Sequence, residues 1–458
     1  MVIGLIGKDL SMTQSGRVND IIGDGEYEYI FIELDNPEKI PRVLQDPYFD
    51  GFHVTNPYRT EVIKYMDELT EDAKRIEAVN VVTRIPGGKL KGHNTDIKGL
   101  EISLRDSVTD KKCMVLGTGG AAITAACALQ DLGASEIVLV SRNPEDARSR
   151  ISDDYEIISY DKIYTHNSSE IIINCTPVGK YTNIDHSPFA DHRINMRIFN
   201  SLELAVDLIY NPYRTKFLQD AKRLTGCKTK SGLEMFIIQS LASRALWLGK
   251  EYDKEEELRF VTPLKRKILE NQLNVVAIGL PGSGKTTIMR RYAYELGMDF
   301  IDTDEETEKK MGMKINEALP ESTMGEEYFT AMEQECVREI GRRRRKVIAT
   351  GGGTAINPIN RDVLRANGIV VYVKRPLDML DVKGRPLSMS ALKEVFNSRD
   401  RVYKRTADMV IVNSRVFGGI RALTGEGNTY NYELKGFVYF IARKVEKYLN
   451  ALADDEWT

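Results

Sequence analysis

No two cysteines of this sequence form a CxxC pair. Cys113, Cys127, Cys175, Cys227 and Cys336 are odd in number and scattered, so neither a disulfide framework nor a cysteine zinc site is expected. Histidine is as sparse, five residues in dispersed positions, and imidazole metal binding has no support. An excess of one charge is also missing. Lys and Arg total 64 against 67 Asp and Glu, which offers no basic field for nucleic acid and no polybasic face for a membrane. No apolar run nears the length of a bilayer span, and the opening MVIGLIGKDL lacks a charged segment followed by a cleavage site. A cytoplasmic protein acting on small molecules is therefore expected, with no nucleic-acid or membrane partner; self-association is left open.

What is present is length and pattern. The 458 residues exceed one ordinary core and favour two or three domains, and 42% hydrophobic with 29% charged residues is a globular composition. Apolar runs alternate with amphipathic stretches of helix length throughout, which implies α/β architecture with parallel sheets. Two apolar runs each lead into a glycine-rich turn: Cys113 to Leu116 into GTGGAA, and Val275 to Ile278 into GLPGSGKTT. Each reads as strand, turn, helix. The charged stretch EYDKEEELRF and the following VTPLKRKILENQ lie between them and read as a connection, although the Glu run fits a solvated helix face equally well.

In the second half, Gly279 to Thr286 matches G-x-x-x-x-G-K-[ST] in full. Gly279, Gly282, Ser283 and Gly284 let backbone N–H groups curl round phosphate oxygens. Lys285 reaches the β- and γ-phosphates, and the Thr286 hydroxyl, with Thr287 beside it, begins a helix where Mg²⁺ would be held. Asp302 and Asp304 stand two apart on a run expected to be extended, so both carboxylates would face the turn. One could hold Mg²⁺ and the other accept a hydroxyl proton; alternatively Asp304 caps the next helix. Val347 to Thr350 runs into Gly351, Gly352 and Gly353, a backbone open to close approach by a ligand or a plain turn. Arg385-Pro386-Leu387 and Arg399-x-x-x-Tyr403 follow.

This order of motifs resembles shikimate kinase across nearly the whole second half, an NMP-kinase-like phosphate-loop domain with a parallel sheet. The resemblance implies ATP and Mg²⁺ as cofactors, Thr286 and Asp302 at the metal, and Asp304 on the shikimate hydroxyl. It further implies Gly351 to Gly353 along the substrate, Arg385 on the γ-phosphate and Arg399 on the substrate carboxylate. Two departures stand out. Thr330 replaces an arginine of the family pattern, while Glu333 is kept, and the stretch from Val373 to Arg385 is shorter than the family's lid and lacks its extra arginine.

In the first half, Gly117, Gly119, Gly120 and Ala121 belong to a G-x-G-x-x-A turn after a strand, with a second strand at Ile137 to Val140, the frame of a Rossmann dinucleotide domain. Ser141 and Arg142 close that second strand where an acidic residue would select NAD; an arginine without an acid favours NADP(H), unless Arg142 faces solvent. Around this unit stand Thr13-x-Ser15, His53-Val54-Thr55-Asn56-Pro57-Tyr58-Arg59, Asn80, His93 to Asp96, Asn174 to Gly179, Asp207 to Pro212 and Gly232 to Gln239. Singly these are turn chemistry.

Together they are similar to shikimate dehydrogenase across the whole first half. The similarity implies that Asn80, Asp96, Gln239 and Thr55 meet the substrate ring and Thr13 and Ser15 its carboxylate. It also implies a two-domain fold: a substrate domain of 1–104 with a return at 229–255, an NADP domain of 105–228, then a linker at 256–272 and the kinase-like domain at 273–458. Arg59 replaces the family's catalytic lysine and His53 an asparagine. Arginine does not give up its proton, so Asp96 or water would have to handle it. The activity implied is reduction of 3-dehydroshikimate followed by phosphorylation of shikimate. Other readings are a sensor that has lost one activity, motivated by Arg59 and Thr330, and an enzyme for a related substrate such as quinate.

Overall fold

The computed structural model describes residues 1–10, 13–151, 154–250, 254–318, 323–380, 389–414 and 428–454. By its internal contacts the chain forms two units. One holds Met1–Val178, His186–Tyr210 and Phe217–Ile268; the other holds Gly179–Asp185, Asn211–Lys216 and Leu269–Thr458.

The first unit is built on two sheets. Strands β1 (Val2–Gly7), β2 (Glu28–Glu33), β3 (Gly51–Val54), β4 (Glu68–Leu69), β5 (Val81–Ile85) and β6 (Lys89–His93) make one sheet in the order β2-β1-β3-β5-β6-β4. The expectation of parallel sheets throughout fails here, because β5 pairs antiparallel with both β3 and β6. The cause is local. Pro86-Gly87-Gly88 joins β5 to β6, and Gly87 and Gly88 take φ of 85° and 75°, left-handed values that turn the chain straight back. Ile6, Phe52, Val54, Val79 and Val82 lie in the core of this sheet.

The second sheet contains β7 (Lys112–Leu116), β8 (Glu136–Ser141), β9 (Glu156–Ser159), β10 (Ile171–Asn174), β11 (Leu204–Asp207) and β12 (Lys228–Ser231), in the order β12-β11-β10-β7-β8-β9. All its pairings are parallel. Its central strands are apolar runs buried on both faces, with Val115 and Ile173 in one core cluster and Met114 and Ile172 in another, as a sheet covered by helices on both sides requires. The strand order reverses beside β7, which carries the glycine turn, and such reversals open a crevice at the strands' carboxyl ends. The helix Leu233–Trp247 returns to the first sheet's side and packs on the helix Asp96–Leu104. Gly99 permits this, since a Cβ there would lie 2.6 Å from the Met235 carbonyl. The stretch expected as a connection is one helix, Lys254–Gln272, with Pro263 inside it.

In the second unit β13 (Asn274–Ile278), β14 (Asp299–Asp302), β15 (Lys346–Ala349), β16 (Gly368–Lys374) and β17 (Met409–Val412) form a parallel sheet ordered β14-β15-β13-β16-β17. β13 is central, so its glycine turn emerges between the ends of β15 and β16. The segment Asn211–Lys216 adds Arg214, whose guanidinium donates to Asp408 at 2.8 Å and 3.2 Å with both side chains about 5% exposed. Among the described residues no helix is long and apolar enough to cross a membrane.

Candidate functional sites

At the carboxyl ends of β1 and β3, the first sheet presents a run of polar side chains. Thr55 follows β3 and its N–H donates to the Ile6 carbonyl, which sets it beside β1. Thr13, just before the helix Ser15–Gly23, and Ser15, its first residue, join hydroxyl to hydroxyl at 2.9 Å. Asn80, Asp96 and Gln239 come together despite their separation in sequence. The Asn80 amide donates to Asp96 Oδ1 at 2.9 Å and to Gln239 Oε1 at 3.4 Å, and it accepts from the Thr95 N–H at 2.8 Å. Thr95 and Ser243 extend the network, their hydroxyls 3.0 Å apart. Thr95 stood in the sequence reading only within the cluster His93 to Asp96, with no role of its own, and Ser243 had no place in it.

Arg59 donates from Nη1 to Asp96 Oδ2 at 2.5 Å and from Nε to the Val54 carbonyl at 3.3 Å. Its side chain is 30% exposed and that of Asp96 8%, so the guanidinium closes one side of an otherwise buried carboxylate. His53 is buried. Its Nδ1 lies 2.7 Å from the Tyr29 hydroxyl, its ring meets Trp247 edge-on, and its Nε2 has no partner among the described residues. Burial, helped by the Arg59 charge, pushes its imidazole down to about 3, so the ring is neutral at any ordinary pH.

The glycine turn of the second sheet is open. Gly117 has φ of 115°, and a Cβ on Gly119 or Gly120 would meet nothing within 4 Å. The helix Gly120–Asp131 starts there without a side-chain cap, so its first N–H groups suit a phosphate. Ser141 ends β8 and accepts from the Asn143 N–H at 3.1 Å, while Arg142 is exposed. Gly119 and Gly120 leave room for a dinucleotide phosphate, whereas Arg142 faces solvent, the alternative that stood beside its ribose-phosphate reading. Nearby, Asn174 bonds the Asp207 carboxylate at 3.1 Å and the Thr176 hydroxyl at 2.7 Å. The polar clusters after β10 and β11 thus brace their own turns.

In the second unit, Gly279, Gly282 and Gly284 take φ of 146°, 76° and 91°, values that L side chains resist. Ser283 is buried between them, and the helix Lys285–Leu296 begins with no side-chain cap. Lys285 Nζ donates to the Gly279 and Leu280 carbonyls at 2.8 Å and 2.9 Å, which curls it over the turn. The Thr286 hydroxyl donates to Asp302 Oδ2 at 2.9 Å, with Thr287 next on the helix. Two oxygen donors this close, beside a phosphate turn, suit Mg²⁺.

The expected extended Asp302–Asp304 pair is not formed. β14 stops at Asp302, whose Oδ1 accepts from the Asp304 N–H at 3.0 Å and caps the helix Thr303–Met311. Capping therefore falls to Asp302, and Asp304 sits in the first turn. Asp304 still reaches the triple-glycine loop, for a Cβ on Gly351 would lie 2.2 Å from its Oδ1. Gly352 lies against the Pro281 ring, where a Cβ would be 2.3 Å from Cγ, and Gly353 faces open space. Arg399 Nη1 donates to the Gly352 carbonyl at 3.3 Å, and the Tyr403 hydroxyl donates to the same oxygen. Glu333 accepts from the Thr354 hydroxyl at 2.7 Å and the Asn360 amide at 3.1 Å. Burial raises its carboxyl above the usual value, with Asp304 adding to the effect. Thr330, one turn earlier, is half-buried. Arg385 lies outside the described residues. Asn413 and Arg375, both overlooked in the sequence, border the phosphate turn: the Asn413 amide donates to the Ser283 carbonyl at 2.9 Å. Their only signal was position, just past the ends of β17 and β16.

Comparison with known proteins matches residues 10–82 to the family model described as shikimate dehydrogenase substrate binding domain, and residues 281–416 to that described as shikimate kinase. A shikimate dehydrogenase (NADP(+)) of Clostridium beijerinckii is 32% identical over 260 residues, covering 55% of this chain and 93% of that protein. One from Methanococcus aeolicus is 32% identical over 268 residues, covering 55% and 93%. Among solved structures, a chorismate mutase/shikimate 5-dehydrogenase fusion protein from Clostridium acetobutylicum superimposes with a TM-score of 0.52 at 33% identity, covering 58% of this chain and 98% of the other. Shikimate dehydrogenase 1 from Peptoclostridium difficile gives 0.51 at 29% identity, covering 58% and 99%.

Proposed function

Because this chain belongs to the shikimate dehydrogenase family through its first half and matches shikimate kinase behind it, we propose that it is a bifunctional enzyme. It reduces 3-dehydroshikimate to shikimate with NADPH and then phosphorylates shikimate to shikimate 3-phosphate with ATP. The observation that supports this is the presence of two glycine turns with positive φ, each at the carboxyl end of its own parallel sheet. In this reading residues 1–104 with 229–255 bind the substrate, 105–228 bind NADP(H), 256–272 connect, and 273–458 carry the kinase. The protein works in the cytoplasm on small molecules.

NADPH supplies the hydride, and ATP with Mg²⁺ the phosphoryl group. Thr13 and Ser15 hold the ring carboxylate, and Asn80, Thr55 and Gln239 orient the hydroxyls. Arg59 donates a hydrogen bond to the oxygen as it gains charge, because it keeps its own proton; Asp96, 2.5 Å away, or a water relays the proton that completes the alcohol. Gly117, Gly119, Gly120 and Ala121 receive the dinucleotide phosphates, with Ser141 and Arg142 at the ribose phosphate. In the kinase, the turn with Lys285 cradles phosphates, and Thr286 and Asp302 hold Mg²⁺. Asp304 accepts the proton of the newly made hydroxyl, beside Gly351 to Gly353, and Arg399 faces the ring carboxylate. Arg385 acts on the γ-phosphate.

The test is a coupled reaction of the full chain with 3-dehydroshikimate, NADPH, ATP and Mg²⁺, read by mass detection. Shikimate 3-phosphate is expected; product that stops at shikimate, or no product, overturns the bifunctional reading. The Arg59–Asp96 ion pair favours one second reading, a first half that binds shikimate without turning it over. Ligand binding without NADPH oxidation would establish it.

A further inference from the structure

One cation at the phosphate turn has no part in the motifs above. Arg375 follows the last residue of β16, which runs beside β13 with Tyr372 opposite Ile278. The two strands leave the sheet together, so close that a Cβ on Gly279 would lie 2.5 Å from the Val373 carbonyl. Successive side chains at a strand end point opposite ways. Lys374 takes one side, with Nζ 3.4 Å from the Asp400 carboxylate and 5.4 Å over the Phe396 ring. Arg375 takes the other. Its Nη1 is 3.5 Å from the Gly282 carbonyl and 4.0 Å from the place of a Cβ on Gly284. Its Nε is buried with no hydrogen-bond partner among the described residues, and among them no carboxylate pairs with it. A carbonyl at 3.5 Å is a marginal acceptor. A guanidinium with an unmet donor is costly unless an anion meets it, and the neighbouring backbone is shaped for phosphate. Asn413 holds the arrangement together: its N–H donates to the Lys374 carbonyl at 2.7 Å and its side chain to the Ser283 carbonyl at 2.9 Å, tying the end of β16 to the turn.

We propose that Arg375 binds the terminal phosphates of the nucleotide, as a second fixed cation beside Lys285. The inference rests on reading Gly279 to Thr286 as a nucleotide-phosphate turn. The test titrates the full chain and its Arg375→Gln and Arg375→Lys variants with ATP and with AMP in the presence of Mg²⁺, alongside steady-state phosphorylation. Loss of a charge-assisted hydrogen bond predicts that Arg375→Gln weakens ATP binding by about 10- to 150-fold. AMP, which lacks the terminal phosphates, is expected to bind as before. Arg375→Lys recovers part of the loss, since it keeps the charge but not the fork. Unchanged ATP affinity in Arg375→Gln, or an equal loss for ATP and AMP, overturns the assignment. NADPH oxidation and the unfolding midpoint of the same samples report folding; should Arg375→Gln not fold, wild-type ATP affinity in Arg375→Lys overturns it instead. If the wild-type chain itself binds no ATP, the nucleotide reading falls and this assignment with it. If it binds ATP and Arg375→Gln binds equally well, only Arg375 is refuted.

Discussion

In the proposed reductase, Arg59 stands at the point where a side chain's ability to lose a proton matters most. Its guanidinium is 2.5 Å from Asp96 and stays charged at any working pH. A lysine there could both pair with Asp96 and exchange a proton, and well-placed acid–base catalysis contributes about 10²- to 10⁴-fold. Arg59→Lys is therefore expected to keep or raise kcat for NADPH oxidation; a collapse would mean that the fork of the guanidinium is itself needed. Arg142, exposed at the end of β8, is the residue proposed to carry the cofactor preference. Arg142→Ala should raise KM for NADPH by about 10- to 150-fold, the loss of one charged hydrogen bond, and leave KM for NADH nearly unmoved. Equal changes would remove Arg142 from the cofactor site. The sequence exposed Arg142 and the network beside Arg59 for different reasons. Arg142 follows a strand at a fixed spacing from a glycine turn, which is local information. The network of Asn80, Asp96 and Gln239 spans 159 residues, and no spacing rule predicts such a meeting; only the likeness to a family brought it into view.

Among elements, the ones that were legible were those whose shape is decided by their own residues. Both strand–turn–helix units lie where the apolar runs and glycines put them, because a phosphate turn needs positive φ at its own positions. The β5–β6 hairpin was not legible because Pro86-Gly87-Gly88, the turn that reverses the chain, has no place in the sequence reading. The Asp302–Asp304 segment was misjudged because an aspartate that can cap a helix starts one, and β14 ended two residues early. Glu333 lies on the helix Thr323–Gly341 and ties it to Thr354 and Asn360, just beyond the triple-glycine loop. Glu333→Ala leaves both donors without their acceptor, at about 1–3 kcal/mol for each buried group, and should lower the unfolding midpoint of the kinase half. The pH dependence has a definite sign. Burial raises this carboxyl above its usual 4.5, so its proton favours the folded state. The stability it contributes is present in full below that usual value and is lost as pH rises through the raised one. Glu333→Gln, neutral throughout, should flatten this decline in a pH series of unfolding midpoints; an unaltered slope would place its origin elsewhere.

For the whole molecule, the expected division of labour is that each glycine turn serves one reaction. Lys285→Ala should abolish shikimate phosphorylation, since the lysine bridges the phosphates, while NADPH oxidation continues at the wild-type rate. Loss of both activities would contradict two independent sites. The sequence disclosed two catalytic halves but not that the second unit borrows residues from the first half of the chain. Tyr181 donates no local signal, yet its hydroxyl accepts from the Asn367 amide at 2.6 Å. Arg214 is one arginine among many, yet it neutralises a buried Asp408, whose carboxylate also accepts from the Val370 N–H at 2.7 Å.

Cutting the gene at codon 269 would therefore not yield a free-standing kinase. The fragment would inherit Asp408 without its counter-ion, and one buried charge stripped of its mate costs about 3–5 kcal/mol, a large share of what keeps any domain folded. A natural separation of the two activities would first have to replace that aspartate or carry the short borrowed strip along with it.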